Sequence, residues 1–194
     1  THLELFTEQI RAILSVKPLK NIHIMFPMIS SLQELLEAKR IIKEEQQKLN
    51  IKKVSIGIMV EVPSVALMAD IFAPHVDFFS IGANDLTQYT LAIDRGHPQL
   101  AKNADSLNPA VLKLIELTCS AAKKNDIWVG VCGGVAGDIK AVPILLGLGV
   151  TELSVSIPMI PKVKACVREL SIDNCREKAQ QALQSKSSQD VRAL

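Results

Sequence analysis

Two segments of this chain end an apolar run in a carboxylate: Ile58-Met-Val-Glu61-Val-Pro63 and Phe78-Phe-Ser-Ile-Gly-Ala-Asn84-Asp85-Leu-Thr-Gln. A buried strand accounts for each apolar, β-branched run. Burial does not account for an acid at its tip. Mg²⁺ takes oxygen ligands and is commonly held by one or two carboxylates, with water and substrate oxygens completing the shell. Glu61 and Asp85 are therefore the candidate metal ligands. The competing readings are an ion pair between Glu61 and a lysine of the following helix, and an N-cap role for Asp85 ahead of Leu86-Thr-Gln-Tyr-Thr-Leu.

Two further candidates stand at such strand ends, and a third lies just past the following helix. Asn84 can both donate to and accept from a substrate, or serve as a turn residue. Arg95, in Asp94-Arg95-Gly96, offers a planar fork for a carboxylate or phosphate, or a cation at a helix C-terminus. Cys132 closes Val129-Gly-Val-Cys132 ahead of Gly133-Gly134. A thiol there is a proton donor at neutral pH, or a small buried hydrophobe. The second reading is the one given to Cys119, Cys166 and Cys175, which fall on predicted helices. Asp138 reads as the N-cap of the next helix. The Gly133-Gly-Val-Ala-Gly137 run lacks the Lys-Ser/Thr of a phosphate-binding P-loop. The four histidines have no metal-ligand spacing and read as surface or loop residues, His23 alone beginning a strand.

Strand–helix alternation must position these groups. The pattern predicts a helix over 3–14, a strand over 22–27, a helix over 32–49 capped by Ser30 or Ser31, and a strand over 54–60. A helix at 64–72, a strand at 77–81 and a helix at 85–93 follow. After an irregular passage, 95–107, come a helix at 109–124, a strand at 127–131, a helix at 138–147, a strand at 151–155 and helices at 158–169 and 172–184. The last ten residues read as a frayed polar tail, giving a domain over 1–184 and a tail over 185–194. Such alternation argues for a parallel sheet with crossover helices, whose reactive groups collect at the carboxyl ends of the strands. Without a G-x-G-x-x-G fingerprint after the first strand, the favoured architecture is part of an eight-stranded barrel. That fold usually takes about 250 residues, so five strands in 194 residues leave three to be supplied upstream. The chain begins without Met and is read as a piece of something longer.

Composition excludes other classes. A formal net charge of +2 with no basic stripe argues against nucleic acid. No apolar run is long enough for a membrane helix, and no secretory leader is visible. Four cysteines without C-x-x-C spacing suit a reduced, cytoplasmic setting.

The runs Ile24-Met-Phe-Pro-Met28, Gly57-Ile-Met-Val-Glu61-Val-Pro63, Asp77 to Gly96 and Val131-Cys132-Gly-Gly-Val-Ala-Gly-Asp138 closely resemble one family, in order over about residues 20 to 170. It is the phosphoenolpyruvate-binding domain of Enzyme I of the bacterial sugar phosphotransferase system, including the fused multiphosphoryl transfer proteins that carry an Enzyme I module. The resemblance implies a (β/α)8 TIM-type barrel of which this chain holds the last five strand–helix units. It implies phosphoryl transfer from phosphoenolpyruvate to a histidine on a separate N-terminal domain, then to the histidine phosphocarrier protein, driving sugar uptake. Carried over by motif, Glu61 and Asp85 match the Mg²⁺ ligands, Asn84 and Arg95 match contacts to phosphoenolpyruvate, and Cys132 matches the acid that protonates the enolate. Family members dimerise through this domain, so the helices near 109–124 and 158–184 are expected to serve a homodimer interface. Gly134 stands where Glu is usual, as in the fused subtype; Val62 and Ala83 replace the commoner Thr. With the histidine domain and the arginine-bearing earlier strands missing, the chain alone is expected not to turn over substrate. The alternatives are a sibling barrel of the pyruvate phosphate dikinase or phosphoenolpyruvate synthase type, and a non-catalytic dimerisation or regulatory module.

Overall fold

A computed structural model describes residues 2–194. Strands β1 (His23–Phe26), β2 (Ser55–Val60), β3 (Phe78–Gly82), β4 (Trp128–Cys132) and β5 (Glu152–Leu153) form one sheet whose spatial order is the chain order, every neighbouring pair parallel. Parallel neighbours need crossovers, and here they are helical: α2 (Leu32–Lys48), α3 (Pro63–Leu67) with α4 (Ala69–Phe72), α5 (Ala83–Leu91) with α6 (Pro109–Lys124), and α7 (Val142–Leu148); α1 (Leu3–Ser15) precedes the sheet, and α8 (Ile160–Glu169), α9 (Ile172–Gln184) and α10 (Ser188–Ala193) follow it. A doubly wound sheet reverses its strand order at a switch point. This sheet never does. It advances in one direction, as an arc of a barrel.

Alternation along the strands separates two faces. Ile56, Ile58, Val60, Phe79, Ile81, Val129 and Val131 are buried in one core with Val65, Leu86, Leu112 and Ile115 of the covering helices. The opposite face, which a closed barrel turns inward, carries Gly57, Met59 and Glu61, then Phe78, Ser80 and Gly82, then Trp128, Gly130 and Cys132. Local chemistry sets the helix starts. Ser31 caps α2 in a reciprocal box, its hydroxyl accepting from the Glu34 N–H while the Glu34 carboxylate accepts from the Ser31 N–H. Asn108 caps α6, with Pro109 in the first turn, where the missing N–H costs nothing.

The structure departs from the sequence reading in four places. The helix expected at 64–72 is broken at Met68 into α3 and α4 and runs into a 3₁₀ turn at 73–75. The helix expected from Asp138 starts only at Val142, after a 3₁₀ turn at 134–137. Strand β5 keeps only two residues, although the Thr151 and Ser154 N–H groups still donate to the Val129 and Val131 carbonyls at 2.9 Å, and the Thr151 hydroxyl accepts from the Val129 N–H and donates to the Val129 carbonyl, both at 3.0 Å. The segment expected to fray instead folds as α10, capped by Ser187, with Val191 buried. A single apolar side chain and one arginine are enough to dock it. No helix of the described residues is long and apolar enough to cross a membrane.

Candidate functional site

The strand register brings two of the candidate positions, Glu61 and Cys132, to one level on either side of Gly82. Val60 pairs with Ile81, and Gly82 pairs with Cys132. Continuing one residue past β2, Glu61 stands beside Gly82, which stands beside Cys132, all on the inward face at the carboxyl ends of β2, β3 and β4. A Cβ on Gly82 would lie 2.9 Å from the Glu61 Cβ and 3.0 Å from its Oε2. The glycine is the space into which the carboxylate is folded.

Glu61 is 4% exposed, and the lysine partner of the competing reading is not found among the described residues. Its Oε1 accepts the backbone N–H of Met28, 2.7 Å away, at the end of β1. Met28 reaches this position with φ at 52°. Among the described residues no cation pairs with Glu61, and a buried carboxylate held by one N–H is the kind of group that is usually completed by a cation.

Asp85 and Arg95 meet each other. Asp85 sits in the first turn of α5 without capping it, and its Oδ1 accepts from Nη2 of Arg95. Gln88 Oε1 accepts from Arg95 Nε at 3.1 Å and from its backbone N–H at 3.2 Å. Arg95 thus pairs back onto the start of α5 rather than balancing its C-terminus. Both partners are substantially exposed, at 32% and 41%, so the pair contributes little to stability. Its effect is orientation.

Cys132 is half-buried, and its Sγ lies 3.5 Å from the Ile81 carbonyl, to which the S–H donates. Burial pushes the thiol up from its ordinary value, and the negative charges of Glu61 and Asp85 push it further the same way. A thiol so placed holds its proton through neutral pH. Asn84 follows one residue after Ala83 opens α5, and its Oδ1 lies 3.3 Å from the Gly134 N–H. Cys132, Gly133, Gly134, Asp138, Ser154 and Ser156 line an open hollow of 640 Å³; Glu61 and Asp85 lie outside its lining.

The remaining expectations divide. Asp138 is not a helix N-cap: its Oδ1 accepts from the Lys140 N–H and its Oδ2 from Arg192. Cys119 and Cys175 are buried as expected, the Cys119 thiol pushed up to about 12 by burial. His23 opens β1 and is exposed, as expected; its ring lies edge-on to Phe78 and Trp128. Gln88 and the Met28 N–H were not legible as site groups. Gly82 carried a readable signal, a glycine inside a strand pattern, which marks a close approach. Among the described residues no three His, Cys, Asp or Glu side chains form a ready metal cluster. Two carboxylates are still the number Mg²⁺ commonly takes from protein when substrate supplies the rest.

Comparison with known proteins places the chain in a family. The family model for the PEP-binding domain of PEP-utilising enzymes matches residues 1–172. A multiphosphoryl transfer protein of Rhodobacter capsulatus is 50% identical over 194 residues, covering 100% of this chain and 24% of its own length. A phosphoenolpyruvate-protein phosphotransferase of Mycoplasma genitalium is 44% identical over 190 residues, covering 97% of this chain and 33% of its own. One from Priestia megaterium is 46% identical over 174 residues, covering 87% and 30%. The chain therefore spans between a quarter and a third of the length of these relatives. Among solved structures, a citrate lyase from Burkholderia xenovorans superposes with a TM-score of 0.65 over 96% of this chain and 65% of that one. At 16% identity that likeness concerns the fold alone.

Proposed function

The chain belongs to the PEP-utilising enzymes as their PEP-binding domain, and from that premise we propose that it serves a phosphoenolpyruvate-protein phosphotransferase of the Enzyme I kind. Its task in this reading is to bind phosphoenolpyruvate, release the phosphoryl group to a histidine on another domain, and return the enolate as pyruvate. The phosphoryl group then passes to the histidine phosphocarrier protein. The names of the relatives at 44–50% identity support this choice over a sibling dikinase or synthase barrel.

The observation that carries the reading is the buried, cation-free carboxylate of Glu61 on the same level as the Cys132 thiol. Glu61 Oε2 and Asp85 Oδ2 would hold Mg²⁺, which supplies positive charge to the phosphate and enolate oxygens when bound. Arg95, aimed by Gln88 and Asp85, keeps Nη1 for the anionic substrate, where a fixed guanidinium binds carboxylate or phosphate at a set angle. Asn84 contributes its amide N–H to the same ligand. When the P–O bond breaks, its electrons stay on the enolate oxygen. The enolate carbon then takes the proton from Cys132 Sγ, forming a C–H bond and a thiolate that water reprotonates. A thiol pushed up by burial and by two acids is suited to arrive at that step protonated. Exposed Leu117 on α6, Ile160 and Val167 on α8 and Ile172 on α9 support a homodimer through these helices.

Calorimetric titration of the full-length gene product with phosphoenolpyruvate, with and without Mg²⁺, tests the proposal. Binding should require Mg²⁺ and weaken at least about tenfold in Glu61→Gln and in Asp85→Asn, since each removes one charged ligand. Unchanged binding in both variants and in chelator would overturn it.

A further inference from the structure

Helix α10 lies beyond residue 172, where the family match ends, and it carries the most heavily bonded arginine of the molecule's reactive side. Arg192 Nε and Nη2 donate to both oxygens of Asp105, at 2.6 and 2.9 Å, and Nη1 donates to Asp138 Oδ2 at 2.9 Å. The partners are 87 and 54 residues away in sequence. Each carboxylate also stiffens its own loop. Asp105 Oδ1 accepts from the Leu107 N–H and Asp138 Oδ1 from the Lys140 N–H, both at 3.0 Å. Lys140 Nζ donates back to the Arg192 carbonyl at 3.1 Å.

These bonds close a ring around the start of α5. Ser106, next to Asp105, shares a 2.8 Å hydroxyl contact with Thr87 of α5. Asn84 of α5 accepts from the Gly134 N–H. Gly134 begins the turn that leads to Asp138, and Arg192 joins Asp138 to Asp105. Inside the ring lies a hollow of 260 Å³ lined by Asn84, Ser106, Gly134 and the three ionic partners. Burial of Val135 and Ala136 anchors the middle of the turn, whereas its ends at Gly133–Gly134 and Asp138 rest on polar contacts, and its own Ala136 N–H to Gly133 and Asp138 N–H to Val135 carbonyl bonds are both 3.2 Å long. It must nevertheless be held closely. Gly133 has φ at 93°, and a Cβ there would sit 2.8 Å from Asn84 Oδ1.

We propose that Arg192 is a positioning residue: by locking Asp105 to Asp138 it holds the Gly133–Gly134 turn against Asn84, and so fixes the Asn84 amide next to the Cys132 thiol. This rests on the function proposed above, in which Asn84 touches the substrate and Cys132 gives up the proton. The fork is essential to the role, because one ammonium cannot make a bidentate contact to one carboxylate while reaching a second.

The test uses the full-length gene product and two readouts. In Arg192→Ala, amide hydrogen exchange at residues 133–138 should rise, and kcat/KM for phosphoenolpyruvate should fall by about 10- to 100-fold, the scale on which small displacements of a reacting group act. Arg192→Lys, which keeps the charge and helix, should recover only part of that loss, and it serves in place of Arg192→Ala should the alanine variant not fold. In an Asn84→Ala background the same substitution should cost less than about threefold, because two residues acting through one contact are not additive. Exchange that stays unchanged at 133–138 overturns the clamp whatever the reaction. A full-size loss in the Asn84→Ala background overturns the positioning role and leaves a purely structural one. A wild-type protein that does not use phosphoenolpyruvate sinks the function reading and the catalytic half of this proposal with it, while the exchange measurement still decides the clamp.

Discussion

The inward face of the sheet carries two levels of side chains, two rungs apart, that share a plan and differ in content. Near the start of the strands, Gly57, Phe78 and Trp128 stand side by side; at their ends, Glu61, Gly82 and Cys132 do. Each level spends one glycine on making room. At the lower level the Phe78 ring fills the space over Gly57, stacks on Trp128 with centroids 4.3 Å apart and planes at 4°, and takes the edge of His23. At the upper level a carboxylate fills the space over Gly82. The lower level is packed with aromatic surface; the upper leaves a buried charge short of partners and a thiol beside a hollow. In a parallel barrel the first arrangement belongs to stability and the second to chemistry. The two levels are about 13 Å apart along the strand at roughly 3.3 Å per residue, so each can be changed without touching the other.

The sharpest test of that separation is Phe78→Ala. Removing a nearly buried aromatic ring should cost about 3–5 kcal/mol of stability, visible as an earlier urea midpoint, while phosphoenolpyruvate turnover per folded molecule stays within about twofold. A large loss of specific activity would break the division. At the upper level Cys132→Ala should do the reverse, lowering turnover by about 10²-fold or more through loss of the proton donor, with the unfolding midpoint almost unmoved. Pyruvate formation in a single turnover should suffer more than phosphoryl transfer, which precedes the proton step.

A milder probe is Gly82→Ala. The new methyl group meets the Cβ and Oε2 of Glu61 and the flexible Met59 Sδ at about the same distance, so the sulfur should yield and the carboxylate shift. Turnover should fall about tenfold, the consequence of a sub-ångström displacement, with a matching loss of Mg²⁺ affinity. The smallest effect is expected in the pH–rate profile. Burial, then Glu61 and Asp85, raise the Cys132 thiol. The acid form therefore persists to higher pH than in an ordinary thiol, and activity should decline on an alkaline limb displaced upward. Glu61→Gln removes the second of these causes and should bring the limb of the residual activity down in pH. A limb that stays in place would mean that the charge of Glu61 does not reach the sulfur.

Much of this was visible in the residues. All five strands were expected within a few residues of where they lie, because apolar runs bounded by turn residues are a local signal. The acids at 61 and 85 and the thiol at 132 stood out because polar groups at strand tips contradict burial. What escaped were contacts between segments far apart. Nothing around Met28 predicts that its N–H turns to Glu61 33 residues on. Asp85 and Arg95 each had a bland local explanation, a cap and a dipole partner, and the structure gives neither, because each was within reach of the other across the end of α5. Asp138 followed a local capping rule on paper and serves instead as one anchor of Arg192. The polar tail looked frayed because one valine and one arginine are weak signals until the surfaces that receive them are known.

By itself, the order of residues determined the alternation of strands and helices, the apolar face of each, and which chemical groups end the strands; these follow from short-range sterics and from the period of burial. Only the tertiary structure decided that positions 61, 82 and 132 share a level, that the carboxylate of Glu61 is buried with no cationic side chain beside it among the described residues, and that α10 ties two distant loops together. Register and long-range ion pairing arise when separate segments compete for the same space and the same donors. No single stretch of sequence contains that competition.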